Sequence, residues 1–159
     1  SHENICRYIA RETGSVVVSV GYRLAPEHKC PAASEDCLEA TIHFLKNIGH
    51  YGVDAARVIV CGDSAGGNLA AAVSQTLTGR SDLPKLRAQV LIYPALQGLD
   101  FNLPSYQQNS GIPLLYRGET IFCALQYLNG DATNLEDLFD GSHVPPDIRL
   151  KYRKWVNPD

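Results

Sequence analysis

The stretch Arg57-Val-Ile-Val-Cys-Gly-Asp-Ser-Ala-Gly-Gly-Asn-Leu-Ala-Ala71 decides the fold. Arg57 to Cys61 is short, apolar and β-branched, the pattern of a buried strand. From Ser64 to about Thr78 the pattern becomes helical, with Leu69, Val73 and Leu77 on one face. Between the two, Gly62-Asp-Ser-Ala-Gly66 matches G-x-S-x-G, and Gly67 follows. Alone that pattern is common by chance. Set directly between a strand and a helix, it reads as a nucleophile elbow. A tight, strained turn lifts the Ser64 hydroxyl above the end of the sheet, and Gly62 and Gly66 clear the space around it. The helix start beneath Ser64 offers free N–H groups and the positive end of a dipole. The Ala65 N–H then points at the oxygen of a tetrahedral intermediate. Asp63 reads as a carboxylate that fastens the elbow, not as the acid of a triad.

Working outward, Glu3 to Glu12 reads as a helix that Gly14 stops, with Ile5, Tyr8 and Ile9 on one face. Ser15-Val-Val-Val-Ser-Val20 reads as a buried strand, and Gly21 to Ala33 as an irregular loop. Ser34 is the expected cap of a second helix, carrying Leu38, Ile42, Leu45 and Ile48 at helical spacing. Ala88-Gln-Val-Leu-Ile-Tyr93 reads as a third strand, closed by Pro94. Strands alternating with helical crossovers predict an α/β class, a parallel sheet with flanking helices. After Pro94 the pattern predicts a long loop (95–117), a helix (118–129) and a Pro- and Asp-containing tail, with no strand. Three parallel strands make a poor complete domain, so residues 1–159 are expected to be one incomplete domain. Its central sheet portion is 1–96.

Composition narrows the function. The 159 residues carry a formal net charge of −3, which leaves no electrostatic footprint for nucleic acid. No apolar run approaches the roughly 20 residues that span a bilayer. Five cysteines at wide, irregular spacing contain no C-x-x-C, which argues against a structural zinc site. No cluster has metal-ligand spacing and no Gly-rich loop has a phosphate-binding pattern, so neither metal nor cofactor is expected. Gly62 to Gly67 also resembles the Gly-Asp-Ser-Gly-Gly run of trypsin-like proteases, but there it lies in an all-β barrel, and here an alanine-rich helix follows.

Several segments together carry a family resemblance. Tyr22-Arg-Leu-Ala-Pro-Glu27, Pro31-Ala and Gly62 to Ala71 resemble the hormone-sensitive-lipase group of α/β-hydrolases. Leu91-Ile-Tyr-Pro-Ala-Leu-Gln97, Leu103-Pro-Ser-Tyr-Gln-Gln-Asn109, His143-Val-Pro-Pro and Lys154-Trp-Val are similar to its arylacetamide deacetylase-like branch. The resemblance implies a partial α/β-hydrolase fold and a serine carboxylic-ester hydrolase, with small lipophilic esters or amides as substrates. Ser64 would be the nucleophile, Ala65 an oxyanion-hole donor, and residues 97–159 a cap-associated segment. The branch is anchored in the endoplasmic reticulum membrane, with its catalytic domain in the lumen. The family's His-Gly-Gly-Gly motif and its downstream catalytic Asp and His are not found in these residues. The 159 residues alone are therefore expected to be nearly inactive. The alternative is a non-catalytic ligand binder or truncated isoform of the same fold, although an intact elbow favours the enzyme.

Other candidates read as structural. His143, the one histidine after Ser64, stands three residues after Asp140, a spacing more typical of a turn than of a base and its orienter. His28 reads as structural and His43 as surface or satisfied core. Arg23 and Glu27 are expected to brace a loop, and Arg57 to pair with Asp54 or cover the strand entrance. Arg149, Lys151, Arg153 and Lys154 read as a solvated basic run.

Overall fold

A computed structural model describes residues 2–113, 115–128 and 135–156. The chain forms two compact units. One comprises Ser1–Leu24 and Pro31–Pro94, the other Ala25–Cys30 and Ala95–Asp159.

In the first unit, α1 spans Glu3–Thr13 and stops at Gly14 as expected, through a left-handed cap with φ 63°. Helix α2 spans Ala32–Lys46. Its N-cap is Pro31, not Ser34. The Ser34 hydroxyl lies inside the first turn and donates to the Pro31 carbonyl at 2.7 Å, so it accepts no backbone N–H as a cap would. Strand β1 is Ile59–Asp63, α3 is Ala65–Thr78 and β2 is Ala88–Ile92. The two strands pair in parallel, from Ile59 opposite Ala88 to Asp63 opposite Ile92. Helix α3 packs on both strands and α2 packs on α3. Leu69, Val73 and Leu77 are buried, as their spacing requires, beside Ala70, Leu45 and Cys37. The sheet is thus parallel with flanking helices, as expected.

The expected strand over 15–20 is not formed. Val16 and Val18 are exposed, and these residues join no ladder among the described residues. A valine run states a preference for burial, but a strand exists only where a neighbour takes its N–H and C=O groups. The same holds for depth: Arg57 to Cys61 reads as a buried strand, yet Ile59 of β1 is exposed, as are Val90 and Ile92 of β2.

The second unit is helical among its described residues: α4 (Pro104–Gln108), α5 (Arg117–Tyr127), α6 (Leu135–Asp140) and α7 (Pro146–Val156). Phe101, Ile121 and Leu138 form its core, with Tyr106, Leu125 and Phe139 packed around them. The loop and tail expected here therefore contain three more helices than the sequence suggested. Pro146 and Asp147 look like loop residues, but proline at the first helical position and an acid behind it are a helix start.

Candidate active site

Ser64 stands at the junction of β1 and α3, as the G-x-S-x-G spacing predicts. Its backbone has φ 54° and ψ −119°, outside the regions that L-residues ordinarily occupy. Such a conformation persists only where the surroundings hold it. Two bonds do so here. The Ser64 N–H donates to the Ile92 carbonyl at 3.0 Å, adding a rung beyond the end of the ladder. The Ser64 carbonyl accepts the Asn68 N–H at 3.1 Å, the first bond of α3.

A serine at a helix N-cap usually spends its hydroxyl on the first-turn N–H groups. Ser64 makes no such side-chain cap, and the residue is exposed. Its oxygen is left for other chemistry. The first N–H groups of α3, from Ala65 onward, have no acceptor within the helix. Ala65 is the first of them, directly after Ser64.

The glycines divide unequally. A Cβ on Gly62 would lie 2.2 Å from the Gly66 carbonyl oxygen and 2.8 Å from the Gly67 nitrogen. A Cβ on Gly67 would lie 2.9 Å from the Pro94 Cβ and 3.1 Å from the Gly62 oxygen. Around Gly66 a Cβ would find open space. The steric demand therefore falls on Gly62 and Gly67, not on Gly62 and Gly66. The reason is direction: a Cβ at 62 points into the Gly66 carbonyl and one at 67 into Pro94 and the Gly62 oxygen, whereas one at 66 points into open space.

Asp63 turns its carboxylate to His2 Nε2 at 3.3 Å. Tyr22, from the Tyr-Arg-Leu-Ala-Pro-Glu run, lies in the same region. Burial raises its phenol above the ordinary value, and Cys37 and the Asp63 carboxylate add to the rise.

His143 belongs to the second unit. Its Nε2 lies 2.9 Å from the Gly98 carbonyl oxygen and its Nδ1 3.3 Å from that of Asp137. Both ring nitrogens face backbone, which ties the loop at Gly98 to helix α6; the side chain of Asp140 lies outside the described residues. His28 and His43 are exposed. Arg23 pairs with Asp36, not Glu27, through Nη2 at 2.7 Å and Nε at 2.9 and 3.0 Å. Asp54 accepts the Ala56 N–H at 2.9 Å and caps a short turn, and Arg57 meets it through its backbone N–H. Arg149 donates to the Gly141 carbonyl, so it is not a free surface cation; the side chains of Arg153 and Lys154 lie outside the described residues. Among the described residues no three His, Cys, Asp or Glu side chains converge to hold a metal ion.

Sequence reasoning passed over Ile92, Tyr93 and Pro94 as parts of this site. Tyr93 has φ 35°, and with Ser64 it is one of two residues other than glycine at positive φ among the described residues. The Tyr-Pro pair at a strand end was the only signal available.

Comparison with known proteins bears on the fold. A family model described as the alpha/beta hydrolase fold matches residues 1–141. Arylacetamide deacetylase-like 4 of Homo sapiens is 49% identical over 158 residues, 99% of this chain and 39% of that protein. Neutral cholesterol ester hydrolase 1 of Bos taurus is 41% identical over 150 residues, 92% of this chain and 37% of that protein. The solved esterase of the archaeon Pyrobaculum calidifontis aligns with a TM-score of 0.73 at 38% identity, over 87% of this chain and 44% of that one. The chain thus spans about two-fifths of the length of the curated relatives it matches.

Proposed function

The chain belongs to the α/β-hydrolase fold family, and on that premise we propose that the protein hydrolyses small lipophilic carboxylic esters or amides through an acyl-enzyme on Ser64. The observation that carries this reading is the strained serine whose hydroxyl caps nothing. In acylation the Ser64 oxygen attacks the substrate carbonyl carbon while a general base takes its proton. The carbonyl oxygen becomes an oxyanion beside the Ala65 N–H. Collapse expels the alcohol or amine with a proton, and water then releases the acid and restores the serine.

A serine hydroxyl is a weak nucleophile without its base, and loss of the serine or histidine of such an enzyme costs about 10⁶-fold in turnover. Among the described residues no hydrogen bond joins a histidine to Ser64. We therefore propose that residues 1–159 by themselves are nearly inactive and that residues 97–159 belong to a cap and its surroundings. The helical character of the second unit supports the cap. By kinship we further propose an endoplasmic reticulum membrane location with the catalytic domain in the lumen. Protease protection in sealed microsomes checks this; digestion without detergent would count against it.

The experiment that tests the chemistry is labelling with a fluorophosphonate, read by mass spectrometry at the Ser64 peptide. The full-length protein is expected to label at Ser64 and to lose both label and ester hydrolysis in Ser64→Ala. Hydrolysis that survives this substitution would sink the reading. Labelling of residues 1–159 alone at the full-length rate would sink the proposed inactivity.

A further inference from the structure

We propose that Ile92-Tyr93-Pro94 is a brace that positions the nucleophile, and that the left-handed backbone of Tyr93 is what lets it reach. The proposal rests on the reading of Ser64 as the nucleophile. Three consecutive residues act on the elbow in different ways. Ile92 accepts the Ser64 N–H at 3.0 Å. Pro94 seats its Cβ and Cα 2.9 and 3.1 Å from where a Gly67 Cβ would be, so the ring lies against the first turn of α3. Between them Tyr93 adopts φ 35°.

That conformation is disfavoured twice. A bulky side chain at positive φ is an outlier, and a residue before proline is pushed toward extended backbone. Burial of the ring does not compensate, since Tyr93 is 74% exposed. What holds it is the pair of contacts on either side. A chain continuing straight out of β2 would keep the Ile92 bond but carry Pro94 away from Gly67. The turn at Tyr93 satisfies both at once. The two strained residues, Ser64 and Tyr93, thus stand at the ends of paired strands and are linked through one carbonyl. Strain held in this way clusters at functional sites. Tyr93 is a positioning residue: it acts on Ser64 through backbone, and its ring is not required.

The test is a backbone series at position 93 in the full-length protein. Tyr93→Gly and Tyr93→Asn accept positive φ, and each is expected to keep kcat within threefold of the parent. Tyr93→Val does not, and its kcat is expected to fall at least 30-fold with KM within twofold. A Val variant within threefold of the parent overturns the proposal. So does a Gly variant that falls as far as Val, because the ring would then matter. Should Tyr93→Val fail to fold, Gly67→Ala replaces it. That change is expected to lower kcat at least tenfold with KM within twofold, because a Cβ at position 67 displaces Pro94. A folded Gly67→Ala variant within threefold of the parent overturns the brace. If the parent neither labels at Ser64 nor depends on it, the hydrolase reading has failed. Amide exchange at Ser64 then decides the brace: at least tenfold faster in Tyr93→Val, or in Gly67→Ala where the Val variant does not fold, than in the parent and Tyr93→Gly if it exists, equal in all if it does not.

Discussion

A methyl group on Gly62 would sit 2.2 Å from the Gly66 carbonyl oxygen, a separation that requires the strand end or the helix start to move. The atom in the way is backbone, so no side-chain rotation relieves it. Overpacking of this kind costs about 1–3 kcal/mol. Gly66 is the contrast within the same motif, because it is already helical and has open space around it. Alanine there gains helix propensity, up to about 1 kcal/mol. Gly62→Ala is therefore expected to lower the stability of the full-length protein by about 2 kcal/mol, and Gly66→Ala to hold or raise it. Urea unfolding of the two variants checks this, and equal midpoints would show that the elbow relaxes freely. The spacing G-x-S-x-G made Ser64 legible, because a nucleophile elbow needs a particular residue type at each place. It did not reveal that Gly67 matters more than Gly66, since that depends on where Pro94 arrives from β2. Nor could it reveal Tyr93, whose strain exists only because contacts on both sides impose it.

At the scale of elements, the connection from α3 to β2 shows local chemistry closing a helix. Lys85 Nζ donates to the Thr78 and Arg80 carbonyls at 2.9 and 3.1 Å, at the negative end of α3. Arg80 meets Asp82 with two parallel bonds of 2.7 Å, Nε to Oδ1 and Nη2 to Oδ2. The hydrogen bonds from Arg80 hold the Asp82 carboxyl down to about 2. A depressed folded value means that the pair stabilises the turn fully above the ordinary carboxylate value of about 4. That contribution fades as pH falls from there toward 2. Carboxyl NMR is expected to place the Asp82 midpoint near 2, and Arg80→Gln to return it toward 4. A midpoint near 4 in the parent would mean that the pair is open in solution. Helices were the more legible elements for the same local reason: Gly14, the Leu69–Val73–Leu77 spacing and the Ala-rich run each act within one segment. The run at 15–20 failed because a strand depends on a distant neighbour. The tail failed because Pro146 can open a helix as well as break one.

At the scale of the whole molecule, the apolar surface of the first unit is the main energetic liability. Ile59, Val90 and Ile92 are 53%, 45% and 47% exposed, although they lie in the only sheet among the described residues. Val16 and Val18 in the unpaired run are exposed too, as are Ile5 and Tyr8 on α1. Covering each of the three strand residues would contribute about 1 kcal/mol, at about 25 cal/mol per Å² of apolar area. The strand edges also offer unpaired N–H and C=O groups, which template pairing with other chains. Apolar area and open edges favour association more than scattered exposed side chains would. Residues 1–159 expressed alone are therefore expected to bind an apolar dye such as ANS. They are also expected to associate as concentration rises, as read by light scattering. Lysine at both Val16 and Val18 is expected to raise the soluble fraction, since charge on such a run opposes edge pairing. A soluble monomer that binds no dye and unfolds in one cooperative step would overturn this, because the described surfaces would then be tolerated by water as they stand.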